Sequence, residues 1–249
     1  MFLDVANSIQ CGTMKYEGDE KKARWELGGR IMTSTDEGWH VEGEHAGVKV
    51  DLKLKRRGDA FYHLGKFENL NEDKSGMAGY VVHAFCTGTI TAWGKEMKIK
   101  EGYAVNERII QAGHVPARLG YMGGRGLTWL HSYGKQMSFY IMSTEMGPSS
   151  TFMFNVDGKT LVAGDAKTAW NEEVGHWKDP RTNQINPCKW HVWANLPEGR
   201  MDTHVTAYRR GYYTWTRRGG TVLVHQYMAD SVMKFTRTDG SVIEEKGMV

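Results

Sequence analysis

The stretch Val48 to Lys55, VKVDLKLK, alternates without a break. Successive side chains of a strand point to opposite faces, so Val48, Val50, Leu52 and Leu54 share one face and Lys49, Asp51, Lys53 and Lys55 the other. The pattern predicts a half-buried antiparallel strand, apolar side inward and charged side outward. On the C-terminal side, TGTITAWGKEMKIKEGY (87–103) and LTWLHSYGKQMSFYIM (127–142) each hold β-rich runs on either side of a Gly-Lys pair, Gly94-Lys95 and Gly134-Lys135, and read as hairpins. Further strands are expected at 151–158, 189–196, 201–210, 211–218, 221–228 and 231–247, the last folded about Asp239-Gly240. A spacing of about 8 to 12 residues with hardly any helical period indicates an all-β fold. Residues 16–26 leave a short helix open.

Composition agrees with strands and tight turns. The 249 residues include thirty glycines, nine tryptophans and eleven tyrosines against five prolines, and such a length accommodates one large or two smaller β domains. The net charge of +3 is scattered rather than striped, which excludes a nucleic-acid footprint. The densest basic run, Lys53, Lys55, Arg56 and Arg57, reads as a solvated strand face and the turn after it. Cys11, Cys86 and Cys188 are far apart, form no CxxC pair and fit a reducing compartment. With no leader-like N-terminus and no run of about 18 apolar residues, the expectation is a cytoplasmic protein without a transmembrane segment. The glycine-rich GHVPARLGYMGGRG (113–126) marks a junction, giving expected domains of residues 1–115 and 116–249.

Three segments in order resemble the tandem lipocalin-like superfamily of hydroxyneurosporene synthase (carotenoid hydratase), AttH and the fungal Diels-Alderases of decalin biosynthesis. CTGTITAWGKEMKIKEGYAVNERI is similar to that family's hairpin and its following acidic signature. GLTWLHSYGKQMSFYIM is similar to its tryptophan-bearing hairpin. HWKDPRTNQINPCKWHVW with the terminal TRTDGSVIEEKGMV resembles its proline-tryptophan strand and closing hairpin. The resemblance spans roughly residues 28–249, with Asn106-Glu107 where the family usually has Asp-His and with a first domain that looks shortened. It implies two lipocalin-like antiparallel β-barrels packed together. It also implies chemistry without an organic cofactor on a hydrophobic, unsaturated small molecule: hydration or dehydration, cyclisation or isomerisation.

The residues themselves offer candidates. In EGYAVNERIIQAG (101–113), Glu107 sits in an apolar context; a carboxyl removed from water has a raised pKa and suits proton transfer near neutrality. Alternation turns Asn106 and Arg108 the other way, and the pattern leaves open which face looks into a pocket. Either way Glu107 or the pair Asn106 and Arg108 would meet a ligand. His131 shares a strand face with Trp129, a pairing that reads either as a core tryptophan with an incidental histidine or as an aromatic wall beside a proton carrier. His83, in GYVVHAFCTG, is the second candidate assistant and Tyr103 a shaping residue. His204 with Tyr208, and Tyr227, are the candidates for the second barrel's lining. The alternation WHVEGEH (39–45) puts His40, Glu42 and Glu44 on one face and reads as the wet side of a strand, not a metal site. No GxSxG, Walker or HExxH pattern is present, and GYMGGRG does not form a dinucleotide fingerprint. The expected partner is a hydrophobic small molecule, with a homodimer left open. The alternative is a carrier that binds such a molecule and does no chemistry.

Overall fold

The computed structural model describes residues 14–19, 21–66, 76–112, 127–144, 149–180, 183–217 and 220–249. The expected junction at 113–126 lies wholly outside them, as does Cys11. Sixteen strands and no helix occur among the described residues, so the chain is all-β.

The strands form two antiparallel sheets. The first is a seven-stranded meander in chain order: β1 (Lys15–Gly18), β2 (Lys22–Leu27), β3 (Arg30–Thr35), β4 (Gly38–His45), β5 (Val48–Arg56), β6 (Gly76–Ala92) and β7 (Lys95–Ala112). The second contains β8 (Leu127–Tyr133), β9 (Ser138–Thr144), β10 (Ser149–Val156), β11 (Lys159–Ala163), β12 (Ala169–Lys178), β13 (Ile185–Leu196), β14 (Gly199–Arg217), β15 (Gly220–Arg237) and β16 (Val242–Met248). Its spatial order is β11-β10-β9-β8-β16-β15-β14-β13-β12. The chain divides into two compact units, one of Met1–Ala60 and Val81–Arg108, the other of Phe61–Tyr80 and Ile109–Val249.

Neither sheet closes by hydrogen bonding among the described residues, which corrects the expectation of two barrels. The nine-stranded sheet curls until β11 lies near β13 and β10 near β12, while its two edge strands remain unpaired with each other. Bulges around Val174 and Gly175 bend the β12 edge, and a bent edge loses the regular ladder that closure requires.

The alternation at 48–55 is realised as β5. Leu54 stands opposite Trp39 on one side and Cys86 on the other, and Val50 faces Ile90, so the apolar face joins a core with buried Trp39, Val82 and Ala84. Lys49, Asp51, Lys53 and Lys55 stay exposed. Gly88 of β6 has φ +135°, and a Cβ there would overlap the carbonyl oxygen of Asp51 on β5. Gly88→Ala is therefore expected to cost about 2 kcal/mol through clash and strained backbone. Urea unfolding measures it, and an unmoved midpoint would mean that β5 and β6 separate freely.

Where the sequence leaves a short helix open, residues 16–18 and 22–26 are strand and Glu20 lies outside the described residues. Tyr16 and Trp25 are cross-strand partners in the β1–β2 ladder with ring centroids 5.7 Å apart, and an aromatic pair of this kind stabilises a hairpin where helical spacing is weak. The turn between β6 and β7 is Trp93-Gly94 rather than Gly94-Lys95, both residues having positive φ. The expected strands 201–210 and 211–218 merge into β14. A bulge at Tyr208 takes the place of a turn there.

The core of the second unit is aromatic. Phe139, Phe152, Phe154 and Phe235 are buried in a chain of ring contacts, with Trp190, Val192, Met201, Val205 and Met233 around them.

Candidate functional site

The first unit presents one polar face on β6 and β7. His83 is buried and stands, by alternation, on the side opposite the Cys86 and Ala84 core face, together with Phe85. The Phe85 and Tyr103 rings meet at 6.2 Å, and the Arg57 guanidinium lies over both, 4.9 Å and 5.9 Å from their centroids. The Arg57 amide donates to the His83 carbonyl, which fixes the chain leaving β5 against β6.

Glu107 has the parity of Tyr103 along β7. Its Oε1 has no solvent-accessible surface, and burial pushes its carboxyl up to about 7. The direction is opposite to the one that a neighbouring cation would impose. Arg108 is exposed and Asn106 half-buried on the other parity. The carboxyl is thus close to half-protonated at neutral pH, able both to give and to receive a proton.

A second constellation belongs to the other unit. Trp129 and His131 share a face of β8, and the Trp129 Nε1–H donates to His131 Nε2 at 2.8 Å. A neutral His131 therefore carries its hydrogen on Nδ1. Leu130 and Ser132 point into the core, where the Ser132 and Ser231 hydroxyls lie 2.7 Å apart. Trp129 and His131 consequently face away from that core.

The segment before β6 supplies a cover. Leu64 N–H donates to the Gly79 carbonyl and Gly79 N–H to the Gly65 carbonyl, which hold Phe61 to Lys66 beside the start of β6. His63 then sits 5.5 Å from the buried Tyr140 ring and 6.3 Å from Trp129, while His131 lies 4.9 Å from Tyr140 and stacks on Tyr133. Burial lowers both imidazoles to about 4, the nearby His63 adding to the effect on His131. Two neutral imidazoles among the faces of Trp129, Tyr133 and Tyr140 can polarise a carbonyl through an N–H or steady a developing cation. His63 was not among the sequence candidates because AFYHLGK has no alternation long enough to place it on a strand, and Tyr140, though inside the expected hairpin 127–142, carried no signal beyond that of a strand aromatic. The one available signal was the adjacency of Phe61, Tyr62 and His63.

The remaining candidates separate. His204 and Tyr208 are exposed on β14, with His204 stacked on His191 at 4.9 Å, so they do not line the interior of the curled sheet, a further correction. The reason is parity: Met201, Thr203 and Val205 take the buried side. Tyr227 is half-buried against the core. His40 bonds to Asp51 at 2.8 Å on the wet side of β4 and β5. No group of three or more His, Cys, Asp or Glu side chains that could hold a metal ion occurs among the described residues. Cys86 and Cys188 are free thiols, and burial pushes that of Cys86 up. No helix of the described residues is long and apolar enough to cross a membrane.

No protein-family profile matches the chain, and no curated protein does. Among solved structures, a candidate AttH protein of Nitrosomonas europaea superimposes with a TM-score of 0.53 at 12% identity, over 90% of this chain and 69% of that one. That likeness extends over both sheets and shows an AttH-like, all-β fold.

Proposed function

We propose that the chain is a cofactor-independent enzyme of the kind found among hydroxyneurosporene synthase and the fungal Diels-Alderases. It acts on a hydrophobic, unsaturated small molecule by general acid–base chemistry: hydration or dehydration, cyclisation or isomerisation. The observation that carries this reading is the Glu107 carboxyl, held near pH 7 by burial on an aromatic strand face. In a hydration, the protonated Glu107 gives its proton to one carbon of a C=C bond, leaving positive charge on the other. Water adds to that carbon and returns a proton to the Glu107 carboxylate, which restores the acid. Tyr103 shapes the bound substrate, with His83, of the same unit, as the proton-handling assistant.

The substrate comes first: native mass spectrometry of protein purified from its own host identifies a copurifying molecule. Glu107→Gln is then expected to lower kcat by about 100-fold or more while leaving binding nearly unchanged and the melting temperature no lower. A general acid is lost as it ionises, so wild-type kcat should fall as pH rises through about 7. Turnover that survives the substitution would sink the proposal. Binding of the copurified molecule without any turnover by the wild type would instead establish the carrier.

A further inference from the structure

Three hairpin turns of the second unit meet at one place on the nine-stranded sheet. Asp157-Gly158, both with positive φ, form the two-residue turn that joins β10 to β11. Pro197-Glu198 join β13 to β14, and Thr238 to Ser241 join β15 to β16. The turns come together because the sheet curls until β11 lies near β13. Thr238 N–H donates to the Glu198 carbonyl at 3.1 Å, which ties the second turn to the third. The Arg237 guanidinium pairs with Asp157, which ties the third to the first.

Between them the turns leave a half-open cavity of about 230 Å³ over an apolar floor of Val156, Leu161 and Phe235. Two cations, Lys159 and Arg237, and three carboxylates, Asp157, Glu198 and Asp239, line it. Three of these charges are already answered. Asp157 takes Arg237, whose Nη1 also donates to the Ser241 hydroxyl at 3.4 Å. Asp239 accepts the Ser241 N–H at 2.8 Å and the Ser241 hydroxyl at 2.6 Å. Lys159 and Glu198 are the remainder. Among the described residues neither side chain has a hydrogen bond or an ion pair, and none joins the two to each other.

That composition selects an occupant. A neutral apolar molecule would take water from Lys159 and Glu198 and return no partner to either. A simple anion would face three carboxylates, and a simple cation would face Lys159 and Arg237. A molecule carrying both charges answers both side chains, and an apolar part covers the floor. The volume lies below the roughly 300 Å³ at which pockets for drug-sized ligands begin, so the occupant is small.

We propose that this cavity binds a free α-amino acid with an aliphatic side chain. Its carboxylate accepts from the Lys159 ammonium, its own ammonium donates to the Glu198 carboxylate, and its side chain lies over Val156, Leu161 and Phe235. Glu107 belongs to the other unit and takes no part in this binding.

The probe is L-leucine, titrated into the full chain by isothermal titration calorimetry. Wild type should bind it with a Kd of about 1 mM or tighter. N-acetyl-L-leucine lacks the ammonium and L-leucinamide the carboxylate, and each should bind at least about tenfold more weakly. Lys159→Gln and Glu198→Gln each remove one charge from an exposed position. Each should weaken L-leucine binding about tenfold with an unchanged far-UV circular dichroism spectrum. The proposal is overturned by an absence of saturable L-leucine binding up to about 10 mM, by either derivative binding as tightly as L-leucine, or by wild-type affinity in both variants. None of these outcomes bears on Glu107, whose test reads turnover.

Discussion

Asp179→Asn is expected to remove about 3 to 5 kcal/mol of unfolding free energy, because it strands a charge in a place that water hardly reaches. The Asp179 and Arg210 side chains are 1% and 6% exposed. Asparagine keeps the shape and loses the charge, so the Arg210 guanidinium remains buried with only dipoles and the Trp177 and Tyr212 faces to steady it. A cation over an aromatic ring recovers about 2 kcal/mol at best, which is less than the desolvation left uncompensated. Replacing both partners, Asp179→Leu with Arg210→Met, removes the buried charges together and should restore most of the loss, since a buried pair and a well-packed apolar pair are often equivalent. Urea unfolding of the single and double variants decides the matter. A single-variant loss below about 1 kcal/mol would show that the pair behaves like a solvated surface bridge.

Acid should loosen the second unit through His63 and His131. Their folded-state values of about 4 lie below the ordinary 6.5, so between those values the unfolded chain binds more protons than the folded one. Stability therefore rises with pH across that window. It is fully present above 6.5 and lost as pH falls toward 4. Each imidazole contributes about 2 kcal/mol once the partial access of solvent is discounted. Glu107 acts with the opposite sign: its carboxyl is raised from 4.5 to about 7, so its ionisation costs the first unit stability as pH rises through that interval. Urea midpoints measured between about pH 4 and 7 should rise with pH less steeply in His63→Phe and His131→Phe than in the wild type, and more steeply in Glu107→Gln, which lifts the opposing contribution. An acid limb unaltered in both histidine variants would place its cause in other groups.

Much of the fold was legible because strand alternation is a local property. VKVDLKLK forms β5 with its lysines in water, and the hairpins at 87–103 and 127–142 exist, although their turns are displaced by a residue or more. Local pattern failed where a tertiary feature changed parity. Arg209-Arg210-Gly211 reads as the end of a strand, yet the bulge at Tyr208 carries β14 straight through it and turns Arg210 inward. Residues 16–26 carry too few apolar positions to declare a period, and pairing between Tyr16 and Trp25 makes strands of β1 and β2.

The candidate site divides in the same way. Trp129 and His131 could be placed on one face from their spacing, and Glu107 could be singled out as a carboxylate in apolar surroundings. By itself the sequence determined the all-β class, the shared faces and the residue types able to move protons, because these follow from alternation and side-chain chemistry. Only the tertiary structure decided that Trp129 and His131 turn away from the unit's core, that His63 and Tyr140 join them, and that Arg210 meets Asp179 beneath Trp177. Those pairings join residues as far apart as His63 and His131, and the free energy of such contacts depends on curl, bulges and burial that no single strand's pattern encodes.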